Sequence, residues 1–159
     1  GIRDLVRSRG LGDVYKRQSP YYSDLVKFEG ECDRLQHYEL RIPSIAINKS
    51  VYTPVGTGGP DKPPVDNTYI NVSYNFMTPV DDGLTRYFWF QHRNTDPNDE
   101  SVSKFMNDGA RMAFEEDRAV LTEVHKGMRD RQTPNIDLRL DAGAKLFRKQ
   151  LQQKIDAEG

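Results

Sequence analysis

An α+β fold is predicted by three observations. Four runs with strand character come first along the chain, turn-forming residues separate them, and one long stretch of helical periodicity follows. The runs can be taken in order. Residues 19–33 are mixed and read as a loop or an edge element. From Arg34 the pattern becomes β: Leu35, His37, Glu39 and Arg41 alternate with Gln36, Tyr38, Leu40 and Ile42. After Pro43 comes a second run, Ser44 to Val55, rich in Ile and Val. It breaks into G-T-G-G-P-D-K-P-P-V-D-N, a segment with too many turn formers for anything but a long loop.

Thr68 to Met77 and Leu84 to Arg93 are the next two strands, joined by T-P-V-D-D-G. Asp82-Gly83 between β-rich runs is a hairpin signal. The last strand carries Y-F-W-F-Q-H-R, aromatic on both faces. It is expected in the middle of a sheet, covered on at least one side by a helix. Asp96-Pro97 then reads as a helix start, with Asp96 as N-cap, Pro97 at the first helical position, and Asp99 and Glu100 near the positive dipole end. The helical pattern continues to about Met128, with Gly109 its single weak point. A short β run, Ile136 to Leu140, follows Pro134. Asp141 caps a last helix with the apolar stripe Ala144, Phe147, Leu151 and Ile155. The expected architecture is a curved antiparallel sheet gripping the long helix.

The first eighteen residues stand apart. G-I-R-D and S-R-G-L-G-D-V-Y-K-R-Q read back into codons that resemble the two constant ends of a sequencing-library adapter, with Leu5, Val6 and most of Arg7 where a variable index would sit. Gly1–Gln18 are therefore expected to be foreign and disordered, and are set aside before fold reasoning. The natural chain would begin near Ser19, and residues 19–159 would be the C-terminal part of a longer protein.

Charge and cysteine usage exclude several classes. The chain has 23 Lys+Arg against 24 Asp+Glu, and without the N-terminal arm 18 basic residues face 22 acidic ones. A mildly acidic domain gives no support for nucleic acid or an anionic membrane surface as partner. One cysteine, Cys32, excludes an internal disulfide or a cysteine-based metal cluster in this stretch and fits a reducing cytoplasm. No apolar run is long enough for a membrane span.

One residue on the long helix draws attention. Its core stripe is expected to be Val102, Phe105, Met106, Gly109, Ala113, Val120, Leu121 and Val124. Asp117 falls inside that stripe, four residues after Ala113 and three and four before Val120 and Leu121. A carboxylate on a core face costs several kcal/mol unless paired, hydrogen-bonded or bound to a cation. Position alone leaves two accounts open: a buried salt bridge to Arg93 or Arg86, or metal ligation.

Three segments carry a family resemblance. F-E-E-D-R-A-V-L-T-E-V-H-K (Phe114 to Lys126), Y-F-W-F-Q-H-R-N (Tyr87 to Asn94) and L-R-L-D-A-G-A-K-L-F-R (Leu138 to Arg148) resemble the C-terminal catalytic region of Rieske non-haem iron oxygenases. The branch is that of vanillate O-demethylase and dicamba monooxygenase. The order and spacing of the segments agree, over roughly Arg34 to Glu158. The resemblance implies a helix-grip, START-like catalytic domain incomplete at its N-terminus, in an α subunit that hydroxylates or O-demethylates an aromatic or related substrate with O2 and NADH-derived electrons. It implies a mononuclear Fe(II) held by two histidines and one carboxylate, the carboxylate falling at Asp117. A Rieske [2Fe–2S] cluster, a reductase or ferredoxin partner, and a homotrimer are implied as well. The family's two-histidine motif and its cysteine–histidine pairs do not occur in this chain, so the fragment by itself is expected to be inactive.

Other candidates are weaker. Asn75 and His92 are the residues expected to bind substrate, Asn75 as an amide that both donates and accepts in a mostly apolar pocket. His125 lies eight residues after Asp117, about 12 Å of axial rise, too far to share one ion. His37 has no metal-ligand spacing, and Cys32 lacks a basic partner. The T-G-G-P turn is no phosphate loop, since no helix follows it. Lys145, Arg148, Lys149 and Lys154 spread around a solvated face. The competing class is a non-enzymatic module binding a hydrophobic ligand in the same kind of fold.

Overall fold

A computed structural model of the chain describes residues 2–10, 24–58, 62–130, 138 and 141–158, the first of these segments as backbone. The α+β class is as the sequence predicts. Five strands, β1 (Ile2–Gly10), β2 (Cys32–Arg41), β3 (Ile45–Pro54), β4 (Tyr69–Asp81) and β5 (Leu84–Arg93), form one antiparallel sheet in chain order. Two helices follow, α1 (Glu100–Arg129) and α2 (Ala142–Glu158). The sheet with α2 forms one compact unit, and α1 belongs to a second.

Several expectations meet corrections here. Ile2–Gly10 of the N-terminal arm pair with β2 from Ile2 opposite Leu40 to Gly10 opposite Cys32. The open edge of β2 presents unpaired N–H and C=O groups, and such an edge accepts an extended segment with little regard to its sequence. The aromatic strand β5 is not central: it lies at the other edge, with Tyr87, Phe88 and Phe90 exposed. Strand β4 runs further than expected, through Thr78-Pro79-Val80 to Asp81, leaving Asp82-Gly83 as a two-residue turn. Pro79 is tolerated because β3 has already ended, its register with β4 stopping at Ile45 opposite Phe76, and because a bulge falls between Pro79 and Asp81.

The start of α1 also shifts. Asp99, not Asp96, is the N-cap, its carboxylate accepting from the N–H groups of Ser101 (2.8 Å) and Val102 (3.3 Å). Asp96 instead has a positive φ of 41° and closes a turn by accepting from the Asp99 N–H. A cap worth about 1 kcal/mol thus sits three residues later than the Asp-Pro signal suggests. From there α1 runs unbroken through Gly109 to Arg129. The expected short strand Ile136 to Leu140 lies mostly outside the described residues.

The best-packed part of the sheet is its β2–β3–β4 end. Tyr52 and Tyr69 are register partners with ring centroids 5.8 Å apart, and both are essentially buried. At the same end, the buried carboxylate of Asp33 accepts from the N–H groups of Gly56 (2.9 Å) and Gly58 (3.0 Å), pinning the loop that leaves β3.

Candidate functional site

Register assigns every strand residue to one of two faces. One face carries Gln36 on β2, Asn48 and Ser50 on β3, Asn71, Ser73 and Asn75 on β4, and Trp89 and Gln91 on β5. It is amide-rich, and Gln36, Ser50 and Asn71 are buried. Burial of amides is stable only with hydrogen bonds. In the orientation that satisfies both ends of its amide, Gln36 donates to Asn48 Oδ1 at 3.0 Å and to Ser50 Oγ at 2.9 Å.

Asn75 is half-buried on this face and held at two points. Its Nδ2 donates to the Ala46 carbonyl (3.2 Å), and its Oδ1 accepts from the Tyr87 hydroxyl (2.5 Å). One N–H and one lone pair remain, in a fixed direction, which is what an orienting amide needs. Tyr87 was not singled out by sequence reasoning. Its signal was present only jointly, in the hairpin register that sets β5 beside β4.

His92 does not join Asn75. It pairs with Val72, and its ring lies 5.4 Å from that of Tyr74 and 5.2 Å from that of Phe90, on the opposite face. Asn75 and His92 therefore stand on opposite faces of the sheet. Placing them together from sequence required knowing the register, because one residue of slip exchanges the faces.

Of the stripe expected on α1, Met106 is buried, with Ala110 beside it; Val102 and Gly109 are half-buried, and Phe105, Ala113, Asp117, Val120, Leu121 and Val124 are exposed. Hydrophobic periodicity identifies which face is apolar and is silent on what covers it, hence the difference. Asp117 lies eleven residues after Met106 and seven after Ala110. At 3.6 residues per turn those are near-whole turns, so Asp117 continues the buried face. Among the described residues its carboxylate has no hydrogen bond or ion pair. Neighbouring charges do pair locally: Glu115 with Arg118 at 3.3 Å and Glu123 with Lys126 at 2.7 Å.

An iron site was tested against these residues. No group of three His, Cys, Asp or Glu side chains among the described residues is placed to hold a metal ion. His37 and His92 share a face and a row, through Lys49 and Val72, but three strand spacings separate them, about 14 Å. Among the described residues Asp117 is an acidic donor without a ligand set around it. Cys32 is a bystander: burial first, then the charge of Asp33, pushes its thiol above the ordinary range.

With the geometry in place, relatives define the family. The model of the vanillate O-demethylase oxygenase C-terminal domain matches residues 11–157, and the chain belongs to that family. The chain is 30% identical to the toluene-4-sulfonate monooxygenase system iron-sulfur subunit TsaM1 of Comamonas testosteroni, over 88% of this chain and 41% of that protein. It is 29% identical to the putative subunit TsaM2 of the same organism, with the same coverage. A vanillate O-demethylase oxygenase subunit from a Pseudomonas strain is 27% identical over 79% of this chain and 38% of its own length. The chain thus spans about two fifths of the length of the curated relatives it matches. No solved structure matches it. No helix among the described residues is long and apolar enough to cross a membrane.

Proposed function

We propose that this chain is the C-terminal part of the catalytic domain of a Rieske-type mononuclear iron oxygenase α subunit, and that Asp117 is the carboxylate ligand of its iron. The complete enzyme hydroxylates or O-demethylates an aromatic or related compound, with O2 and electrons passed from NADH through a reductase or ferredoxin and a [2Fe–2S] cluster. It works in the cytoplasm as a homotrimer. When bound, the iron supplies O2 activation; its two histidine ligands and the cluster come from sequence outside this chain, and the chain alone is inactive.

One observation carries the reading. A carboxylate without a hydrogen bond or ion pair among the described residues continues the face of α1 on which Met106 and Ala110 are buried, within the segment matched by the oxygenase family. Among those residues it serves no salt bridge and no cap. As a ligand it would offset metal charge while leaving adjacent coordination positions open. Asn75, held by Tyr87 and Ala46, orients substrate through its remaining N–H and lone pair. His92 packs with Tyr74 and Phe90 on the other face of the sheet.

The test uses the complete protein with Asp117→Ala. Iron content by mass spectrometry falls at least about tenfold, since even outer-shell partners of metal ligands are worth 10–100-fold. Thermal unfolding of the variant with metal removed matches that of the metal-free parent within about 0.5 kcal/mol, as expected for an exposed side chain with no partner. Iron retention equal to the parent overturns the assignment. A complete protein that holds no iron and binds apolar ligands instead belongs to the non-enzymatic class.

A further inference from the structure

Strand β5 ends the sheet among the described residues, and its register with β4 fixes which backbone groups it turns outward. The Asn94 N–H donates to the Ile70 carbonyl, so the positions in step with Asn94, among them Phe88, Phe90 and His92, direct their N–H and C=O groups at β4. Thr85, Tyr87, Trp89 and Gln91 direct theirs away from it. Such an edge is a template for another strand unless charge, proline or a bulge blunts it. Residues 87–92 contain no Asp, Glu, Lys, Arg, Pro or Gly, and are aromatic at all but one position or two. The opposite edge differs. Strand β1 carries Arg3, Asp4, Arg7 and Arg9. Paired with a second copy about Val6 it would set Arg3 against Arg9 on both sides of the axis, and like charges directly opposed are destabilising.

The sequence of β5 is its own complement. Antiparallel pairing of two copies about Phe88 sets Tyr87 opposite Trp89 and Arg86 opposite Phe90, each twice. A guanidinium over an aromatic ring is attracted by the ring's negative face. The same register brings Arg93 opposite Gly83, in the turn that carries the exposed carboxylates of Asp81 and Asp82. Centring the pair on Trp89 instead moves Arg93 to Thr85, away from that turn, and sets Arg86 against His92. A slip of one residue exchanges the two faces. Charge and ring complementarity thus select a second copy of this chain, in one register.

We propose that β5 is a self-association edge, on which two copies of the chain pair antiparallel across a two-fold axis at Phe88 and make one sheet continuous through both. The contact is isologous and closes at two copies, since the β1 edge does not pair with itself. It is distinct from the homotrimer of the complete enzyme and needs neither iron nor Asp117. Pairing adds a neighbour beyond β5 and leaves both faces of the sheet uncovered. A contact along one strand is small, so the dimer dissociates on dilution.

The experiment is analytical ultracentrifugation of the full 159-residue chain over a concentration series, joined to cysteine cross-linking that reads the register. The dilute chain sediments at its monomer mass of 18.3 kDa and approaches twice that mass by about 1 mM. Phe88→Lys, which opposes two ammonium groups at the axis, weakens the dimer about tenfold or more, whereas Val6→Lys on β1 leaves it unchanged. Under mild oxidation Phe88→Cys forms an intermolecular disulfide, because directly opposed positions of this kind have Cα atoms about 4.5 Å apart. Phe90→Cys does not, its two copies standing four residues apart along the strands, about 14 Å. Cys32 is buried and stays out of the reaction. If Phe88→Lys perturbs the circular dichroism spectrum, Gln91→Pro is read in its place. That substitution removes an N–H directed away from β4, spares the β4–β5 ladder, and also weakens the dimer. A chain that stays monomeric at about 1 mM or grows beyond two copies overturns the proposal. So does a dimer undiminished in the folded β5 variant, weakened by Val6→Lys, or cross-linked at residue 90 in preference to 88.

Discussion

The two ends of the sheet invert the ranking that hydrophobicity alone would give. At the β2–β3–β4 end, Asp33, Gln36, Ser50, Thr53 and Asn71 are buried alongside Tyr52 and Tyr69. At the β5 edge, Tyr87, Phe88, Phe90 and Leu84 are exposed although the strand is the most aromatic in the chain. The polar end is closed with some of its polar groups bonded, as Asp33 is to Gly56 and Gly58, and with Thr53 Oγ1 and Asn71 Oδ1 buried without a hydrogen bond among the described residues. The aromatic edge is open because no strand pairs beyond β5 among the described residues. Burial therefore follows cover and hydrogen bonding, with side-chain apolarity setting only the demand for cover. A contiguous open aromatic set such as Phe76, Phe88 and Phe90 marks a surface built to be covered.

The comparison breaks most visibly at Tyr69. Its ring is wholly buried against Tyr52, so Tyr69→Ala removes a large side chain from the tightest packing in the molecule. Loss of such a residue costs about 3–5 kcal/mol through transfer and cavity terms. Chemical denaturation of the variant should show a lower midpoint with a similar slope. A cost below about 1 kcal/mol, the scale of ordinary surface positions, would mean that this end is no better packed than the β5 edge.

Gly58 gives the next largest effect, by overpacking. A Cβ on Gly58 would sit 2.6 Å from Thr53 Oγ1 and 2.7 Å from Asp33 Cβ, the latter fixed to backbone. Either the loop lifts and the two N–H bonds to Asp33 lengthen, or β2 and β3 shift. Gly58→Ala should destabilise by about 1–3 kcal/mol. Hydrogen exchange at the Gly56 amide and at residue 58 should speed up before exchange in β4 does. Unchanged protection at both amides would show that the carboxylate is not what closes the loop.

Much of this was legible in the sequence, and the failures share a cause. Strand runs, the Asp82-Gly83 turn, the long helix and the family of the Phe114 to Lys126 segment all follow from local pattern, which is why they emerge from residues alone. The N-cap slipped from Asp96 to Asp99 because two acidic residues three apart offer the same signal, and only backbone geometry chooses between them. Placing β5 centrally failed because strand order is non-local, and register, which sets His92 and Asn75 on opposite faces, is non-local too. Asp117 could be placed on the face of Met106 and Ala110 because helical phase is local. Its exposure could not be read the same way, because cover is set by contacts distant in sequence.

The smallest effect sharpens the comparison from the other side. Phe88 is 56% exposed on the edge strand, opposite Phe76. Truncating it removes little buried area, so Phe88→Ala in this chain should change stability by no more than about 0.5 kcal/mol, as at ordinary surface positions. The same substitution in a complete protein that covers this face would cost about 3–5 kcal/mol, the value for a core phenylalanine. The difference between the two measurements isolates the cover, since the side chain and its strand are identical in both. A loss of several kcal/mol already in the 159-residue chain would place Phe88 in a packed core, and the contrast between the two ends of the sheet would disappear.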